Sequence, residues 1–463
     1  MKKILITLND LFNLPTAVIY NPDGYKPASS VSIDSRNIVE GSVFVAIKGD
    51  RFDGHDFVKE AVKKGAGCVI INEKNYSKFN NLSISIVTVS DTNIALGNLA
   101  KVWRSKLETK IIAITGSAGK TTTKEILSDL LSEKFTVNKT SLNNNNHIGV
   151  PLTILSTNNK HDVLVLELGT NHFGEIAYTS KITQPDYAVI TNIGNSHLEF
   201  LKNKKGVYKE KIELFNVTAG RQGFLFINND DELLAKSFNG YSKKNTFAFK
   251  HEADVKGNVL GYSDYGNPII EIKYKNKNIK QVIPLYGEQS AKNFLTAVTI
   301  ALKLGVNKIS IESALNKIKA VDKRLNVREY KNFLLIDDTY NANPESMKSS
   351  FELLGKVNKF KRKIAVIGDM FELGGEAEKL HIGLAGSIKK NNINTVFTIG
   401  KMMKRLNNVL SSSKIEIKHF TDREKLKKVL SNFDFSNSAV LVKGSRGMKM
   451  EEFVKVIEAE ANE

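Results

Sequence analysis

One stretch constrains this chain more than any other: the run Ile111-Ile-Ala-Ile-Thr115, then Gly116-Ser-Ala-Gly-Lys-Thr-Thr122, then the helically spaced Thr123–Leu131. An apolar strand that turns through glycines straight into a helix belongs in an α/β layer, with the helix laid on a parallel sheet. Glycines let backbone N–H groups converge on phosphate oxygens, and the helix presents its positive end to them. Lys120 can reach the β- and γ-phosphates, and the Thr121 hydroxyl can ligate Mg²⁺. Gly116, Ser117, Ala118, Gly119 and Thr122 complete the loop. The form Gly-x-x-Gly-Lys-Thr is shorter than the Gly-x4-Gly-Lys-Thr of GTPases and helicases, since position 114 is Ile, and no Asn-Lys-x-Asp guanine reader occurs. ATP is therefore the expected nucleotide.

The rest of the chain agrees with this layer. Short β-branched runs recur at Val43–Ile47, Cys68–Asn72, Ile84–Val89, Val163–Leu168, Tyr187–Thr191 and Gly223–Ile227, and later at Phe333–Asp337, Lys363–Gly368, Thr395–Gly400 and Ala439–Lys443. Amphipathic stretches such as Asn93–Leu107, Lys120–Lys134, Ala291–Leu304 and Leu380–Lys390 lie between them. Such alternation predicts largely parallel sheets, whose ligands gather beyond the carboxyl ends of the strands. At 463 residues the chain is too long for one ordinary core, so two or three domains are expected. Junctions are expected near Asn93–Leu107, which holds the sole tryptophan, Trp103, and near Ala320–Arg328.

Two further strand ends carry chemistry. Glu167, closing Val163-Leu-Val-Leu-Glu167, fits a metal-side carboxylate beside Thr121. His197, in Thr191-Asn-Ile-Gly-Asn-Ser-His197, is a candidate metal ligand or substrate contact. The formal charge of +18 raises the alternative of a nucleic-acid NTPase. Its lysines are scattered rather than gathered in an array, so no nucleic acid is expected as a partner. No apolar run approaches the roughly 20 residues needed to span a bilayer, and Asn9 and Asp10 interrupt the short apolar N-terminal stretch too early for a signal peptide. The single cysteine, Cys68, reads as a small core residue and suits a reducing cytoplasm.

Together the motifs resemble the Mur ligases of bacterial peptidoglycan synthesis, over nearly the whole chain. The resemblance is carried by Asp34-Ser-Arg36, Gly49 with Asp53-Gly-His55, the phosphate loop, and Asn145-Asn-His-Ile-Gly-Val-Pro-Leu152. It continues through Glu167-Leu-Gly, Gly174-Glu-Ile176 and His197-Leu-Glu, then Asp337-Asp-Thr-Tyr-Asn-Ala-Asn-Pro344, Gly368-Asp-Met-Phe-Glu-Leu-Gly374 and Lys443-Gly-Ser-Arg446. Tyr-Asn-Ala-Asn-Pro and Gly-Asp-Met-x-Glu-Leu-Gly look like the branch that adds D-alanyl-D-alanine. The Asp-Asn-Pro-Arg expected of the branch adding the third residue is absent.

The resemblance implies three α/β domains: residues 1–88 binding a UDP-sugar, residues 89–321 as a central parallel-sheet ATPase of phosphate-loop type, and residues 322–463 as a Rossmann-like C-terminal domain. It implies ATP and Mg²⁺, with Thr121, Glu167, His197 and Lys211 at the metal, and Lys120, His197 and Lys211 as catalytic groups. Lys211 falls, by register within Gly206–Phe215, on the family's active-site lysine, which several members carry as a carbamate. Asn293 resembles the adenine-contacting asparagine, with Gln289 where the family usually has histidine. Arg324 and Asp338 resemble nucleotide contacts made when the domains close. Ser35, Arg36, Asn146, Asn341, Asn343 and Lys443 are the implied substrate contacts. The implied substrates are UDP-N-acetylmuramoyl-tripeptide and D-Ala-D-Ala, and the expected protein is a cytoplasmic monomer without membrane insertion. The competing readings are a Mur-type ligase for another amino acid or for folate, and a non-catalytic homologue.

Overall fold

Three sheets organise the chain in the computed structural model, which describes residues 3–49 and 52–460. In the first, the strands run in the order Val18–Tyr20, Ser85–Val89, Cys68–Asn72, Val43–Val45, Val31–Ser32. Only Val18–Tyr20 is antiparallel to its neighbour. Cys68 is buried in this sheet, where desolvation pushes its thiol up to about 12.

The central sheet has nine strands. Seven of them, from Val255–Tyr262 through Lys244–Ala248, Phe224–Asn228, Tyr187–Ile190, Lys110–Thr115 and Val163–Glu167 to Val137–Lys139, are parallel. Ile111, Ile112, Ala113 and Ile114 are wholly buried, as a central strand covered on both faces requires. The other edge departs from the expected parallel pattern. Val255–Tyr262, Pro268–Tyr274 and Lys277–Val282 form an antiparallel meander. Its turns explain the change of direction: the last hairpin closes through two residues with Lys275 at φ 51°, and the preceding one through Gly266 at φ 87°.

The third sheet orders Asn326–Glu329, Phe333–Asp338, Ser438–Lys443, Arg362–Gly368, Thr395–Ile399 and Glu416–Phe420, with only the first strand antiparallel.

How these parts join matters for the site. The helix Thr92–Ser105 is capped by Asp91, which accepts from the amides of Asn93 and Ile94. Trp103 on this helix is buried, and its indole N–H donates to the Thr157 carbonyl at 2.7 Å. One continuous core runs from Val43 and Ile70 of the first sheet past Leu96 and Leu99 to Ile111 and Leu164 of the second. The C-terminal sheet keeps two cores of its own, one on each face. The central and C-terminal layers therefore face each other across a cleft. Among the described residues, no helix is long and apolar enough to cross a membrane.

Candidate active site

The carboxyl end of Lys110–Thr115 turns into the helix Lys120–Ser132 through a loop that only glycine could form. Gly116 has φ 151° and Gly119 φ 81°. A Cβ on Gly116 would lie 1.9 Å from Thr191 Oγ1, and one on Gly119 2.2 Å from Asn293 Oδ1. The neighbouring strand end fixes the loop's shape. Thr191 Oγ1 donates to the Ala118 carbonyl at 2.6 Å, the Ala118 amide donates to Asn192 Oδ1 at 3.0 Å, and the Ser117 amide donates to the Asn192 carbonyl at 3.1 Å. Lys120 arches back over the loop and donates to the Gly116 carbonyl at 2.8 Å. Burial lowers its pKa, Glu167 opposes that, and Arg324 adds to it.

Glu167 is buried at the end of the next strand. Its Oε1 accepts from Asn145 Nδ2 at 2.9 Å, while Oε2 has no hydrogen-bond partner among the described residues. Lys124 Nζ stands 3.9 Å from Oε2, beyond bonding reach, and donates to the Thr140 carbonyl at 2.6 Å instead. A buried, unpaired carboxylate oxygen calls for a cation.

Behind this group, Glu210 accepts from the amides of Gly174 and Ile176, each at 2.7 Å, and holds the start of the helix Glu175–Thr183. Lys211, next to it, is buried rather than solvated. Desolvation, with the charge of Lys120 adding to it and Glu210 opposing it, brings its pKa well below the usual lysine value.

The C-terminal layer supplies the opposite wall. The Arg324 guanidinium lies 3.9 Å over the Tyr340 ring, and its Nε is buried with no partner among the described residues. Asp338 Oδ2 accepts from Lys443 Nζ at 2.5 Å and from Ser350 Oγ at 2.7 Å, and Lys443 also donates to the Asn341 carbonyl at 3.0 Å. Asn341 Oδ1 accepts from the Ala342 amide at 2.9 Å. Asn343 caps the helix Pro344–Lys356 in a reciprocal box with Ser346.

Among the contacts that join the walls, two involve the segment beside the phosphate loop. Glu345 Oε1 accepts from the Asn195 amide at 2.9 Å, and His197 Nδ1 lies 2.7 Å from Glu372 Oε2. The histidine holds the Glu372 carboxyl below its usual range. The Asn195 segment in turn grips the phosphate loop, since the Gly194 amide donates to Ser117 Oγ at 2.9 Å and Ser196 Oγ donates to it at 3.1 Å.

Between the walls lies a cavity of about 320 Å³, the size of a small-ligand site. It brings together Ser117, Ala118, Gly119, Lys120, Thr122, Glu167, His197, Asn293, Arg324, Asp338, Asn341, Asn343 and Lys443. Asn293 accepts from Gln289 Nε2 at 3.0 Å, and both line the cavity. Gly116, Thr121 and Lys211 sit outside that lining, with Thr121 and Lys211 buried. Asn146 is placed elsewhere: its Oδ1 accepts from the amides of Ile148 and Gly149 at the start of the helix Gly149–Leu155, and Asn145 takes the position against Glu167.

Ser35 and Arg36 lie in the first layer. Ser35 Oγ donates to Glu60 Oε2 at 3.1 Å, and Arg36 forms a two-pronged pair with Asp34 at 2.9 and 2.8 Å that depresses the aspartate to about 2. His55 is locked between Asp53 Oδ1 at 2.6 Å and the Asn72 amide, which donates to Nε2 at 2.9 Å.

Sequence reasoning did not single out Asn145, Asn192, Glu210, Tyr340, Glu345 or Glu372. All six do fall in or beside quoted motifs. Their partners lie on distant segments, so no local pattern reveals their roles.

Known proteins match this arrangement along its length. The model of the Mur ligase family, catalytic domain, matches residues 27–104, that of the Mur ligase middle domain 114–301, and that of the Mur ligase, glutamate ligase domain 323–446. The UDP-N-acetylmuramoyl-tripeptide–D-alanyl-D-alanine ligase of Bacillus subtilis is 31% identical over 97% of both chains. The ligase of the same name from Escherichia coli is 32% identical over 98% of this chain and 99% of that one. Among solved structures, MurF from Acinetobacter baumannii superposes with a TM-score of 0.88 at 29% identity, covering 99% of this chain and 100% of that one. MurF from Thermotoga maritima in complex with ADP does so with 0.81 at 32%, covering 94% and 98%. With relatives this similar over its full length, and a phosphate loop facing a C-terminal wall across one cleft, the chain belongs to the Mur ligase family.

Proposed function

We infer that this chain is an ATP-dependent ligase that joins D-alanyl-D-alanine to UDP-N-acetylmuramoyl-tripeptide through an acyl phosphate, in the cytoplasm, as a step of peptidoglycan precursor synthesis. The observation that carries the chemistry is the facing of unpaired buried groups across one cavity: Glu167 Oε2 by the phosphate loop, and Arg324 Nε opposite. One asks for a cation and the other for an anion, as ATP with a divalent ion would supply. The substrate names come from the full-length relatives.

In the first step the terminal carboxylate of the tripeptide attacks the γ-phosphorus of ATP, and ADP leaves. Such transfer needs positioning and charge neutralisation more than covalent help. Lys120 neutralises charge on the β- and γ-phosphates, and Arg324 reaches phosphate or ribose from the other wall. Asn293, with Gln289 beside it, lies where an adenine edge would be read. No closed cage of three acidic, histidine or cysteine side chains exists among the described residues. Mg²⁺ suits such a site, since it commonly binds through one or two carboxylates together with substrate phosphates. Thr121, Glu167 and His197 would hold it, and it would screen the phosphate charge.

Lys211 acts behind Lys120. Its lowered pKa favours the free amine, the form that adds CO₂. Carbamylation would turn that neutral amine behind Lys120 into an anion able to serve a second divalent ion. In the second step the amine of D-Ala-D-Ala attacks the acyl carbon and phosphate departs. Asn341 and Asn343, on the C-terminal wall, face the incoming dipeptide. The wall contacts Glu345–Asn195 and His197–Glu372 hold the two layers together beside the cleft, and closure of the layers there would keep out the water that hydrolyses an acyl phosphate.

The test is phosphate release by purified protein with ATP, Mg²⁺ and UDP-N-acetylmuramoyl-tripeptide, with and without D-Ala-D-Ala. Release that ignored the dipeptide, or that survived Lys120→Ala, would sink the assignment.

A further inference from the structure

One carboxylate oxygen of the cleft is used by none of these steps. Glu345 stands in the first turn of the helix Pro344–Lys356 and lines the same cavity as Lys120, Glu167 and His197. Its Oε1 is taken by the Asn195 amide at 2.9 Å, whereas Oε2 is closed off from solvent and has no hydrogen-bond partner among the described residues. The cavity's other carboxylates are accounted for. Asp338 is neutralised by Lys443, and Glu167 faces the phosphate loop with Lys120 and Lys124 near it. A buried carboxylate oxygen without a donor is costly, and it persists where a ligand supplies the donor. Glu345 also stands two residues after Asn343, at the end of the segment that faces the dipeptide in the ligase reading.

We propose that Glu345 Oε2 receives the ammonium group of the incoming amino substrate and takes one proton from it; this rests on the ligase reading above. An α-amine with a pKa of about 8 arrives at neutral pH mostly as ammonium, which has no lone pair to attack with. The carboxylate binds that cation, then accepts a proton and leaves a neutral amine against the acyl carbon. The new C–N bond forms as the amine lone pair adds to the acyl carbon. The C–O bond to phosphate then breaks, and its electron pair leaves with the phosphate, which carries off the second amine proton. Glu345 returns its proton to solvent, and the atoms and charges balance. The second oxygen, on the Asn195 amide, fixes the carboxylate at the seam between the two walls. The amine is therefore bound where the walls meet.

The experiment compares the wild type, Glu345→Gln and Glu345→Asp in two reactions. One is formation of the acyl phosphate from ATP, Mg²⁺ and UDP-N-acetylmuramoyl-tripeptide without dipeptide, trapped by hydroxylamine, which needs no deprotonation near neutral pH. The other is ligation of D-Ala-D-Ala. Glu345→Gln is expected to keep trapped hydroxamate within about threefold. It should lose about 100-fold or more in ligation, with a raised KM for the dipeptide. Raising the pH should restore part of that loss, because more of the amine is then already neutral, and Glu345→Asp should fall between. Parallel loss of both reactions would overturn the proposal in favour of a purely structural clamp. Recovery of Glu345→Gln by added Mg²⁺ would overturn it in favour of a metal ligand, and unchanged ligation would overturn it outright. If the wild type forms hydroxamate yet does not ligate D-Ala-D-Ala, the substrate reading fails instead, independently of Glu345.

Discussion

The cleft and the first layer carry motifs of equal prominence in the sequence, yet their side chains are in opposite states. In the cleft, Glu167 Oε2, Arg324 Nε and Glu345 Oε2 are buried with nothing to bond among the described residues. In the first layer, Asp34 and Arg36 satisfy one another, Ser35 is bonded to Glu60, and His55 is held at both ring nitrogens. An unmade bond at a buried polar atom costs about 1–3 kcal/mol, so the cleft is held in a form that a ligand completes. The first-layer groups pay no such cost, and a ligand there must compete with bonds already made. The packing differs in the same sense. The first and central layers share one core, whereas the C-terminal layer has its own, touched from the central layer by Tyr265 and Tyr286, and borders the cleft with polar contacts.

This contrast can be broken by mutation, and the largest effect is expected at the loop. Lys120→Ala should lower dipeptide-dependent phosphate release by about 1,000-fold or more, because among the described residues it is the one cationic side chain lining the cavity on that wall. Glu167→Gln should cost about 100-fold and raise the Mg²⁺ concentration needed for half-maximal rate. If it left the Mg²⁺ dependence unchanged, the unpaired oxygen would have some other purpose.

Lys211→Met tests the group behind the cleft, and should cost at least about tenfold in rate. It should also change how stability depends on pH. A lysine whose folded pKa lies below the unfolded value binds more protons when unfolded, so its contribution to stability rises with pH between the folded value and 10.5. Thermal melts of the wild type across alkaline pH should contain that rise and those of Lys211→Met should lack it, provided the wild type is freed of CO₂. The smallest effect belongs to the first layer. Arg36 is 81% exposed, so Arg36→Ala should leave the melting temperature and kcat unchanged and raise KM for the UDP-linked substrate by less than about tenfold. A fall in kcat would mean that the two regions are not as separate as their bonding suggests.

Much of the fold was legible, and the reason is burial. Strands covered on both faces, such as Ile111–Thr115 and Val163–Glu167, write themselves as continuous apolar runs. The meander Val255–Val282 was not legible. Its strands mix lysine and asparagine with single apolar residues, a register shift interrupts the pairing at Val259–Gly261, and its last turn uses Lys275-Asn276 rather than Asn-Gly. The phosphate loop was readable because one contiguous segment does all its work. Glu345 and Glu372 were not, since each acts on a partner more than a hundred residues away. The Asn145-Asn146 pair shows the limit at its narrowest. Two identical neighbours divide the work, one accepting from the amides that lead into a helix and one holding Glu167, and only the backbone's direction decides which does which.

The buried thiol of Cys68 has a practical consequence for watching the cleft. It is the chain's single cysteine, enclosed in the first sheet and with its pKa pushed up to about 12, so it stays protonated and out of reach of maleimide dyes. A cysteine introduced at an exposed position on each wall would then be the only site labelled on that wall. A donor–acceptor pair across the cleft would report, molecule by molecule, the distance between the phosphate loop and the C-terminal layer as nucleotide comes and goes.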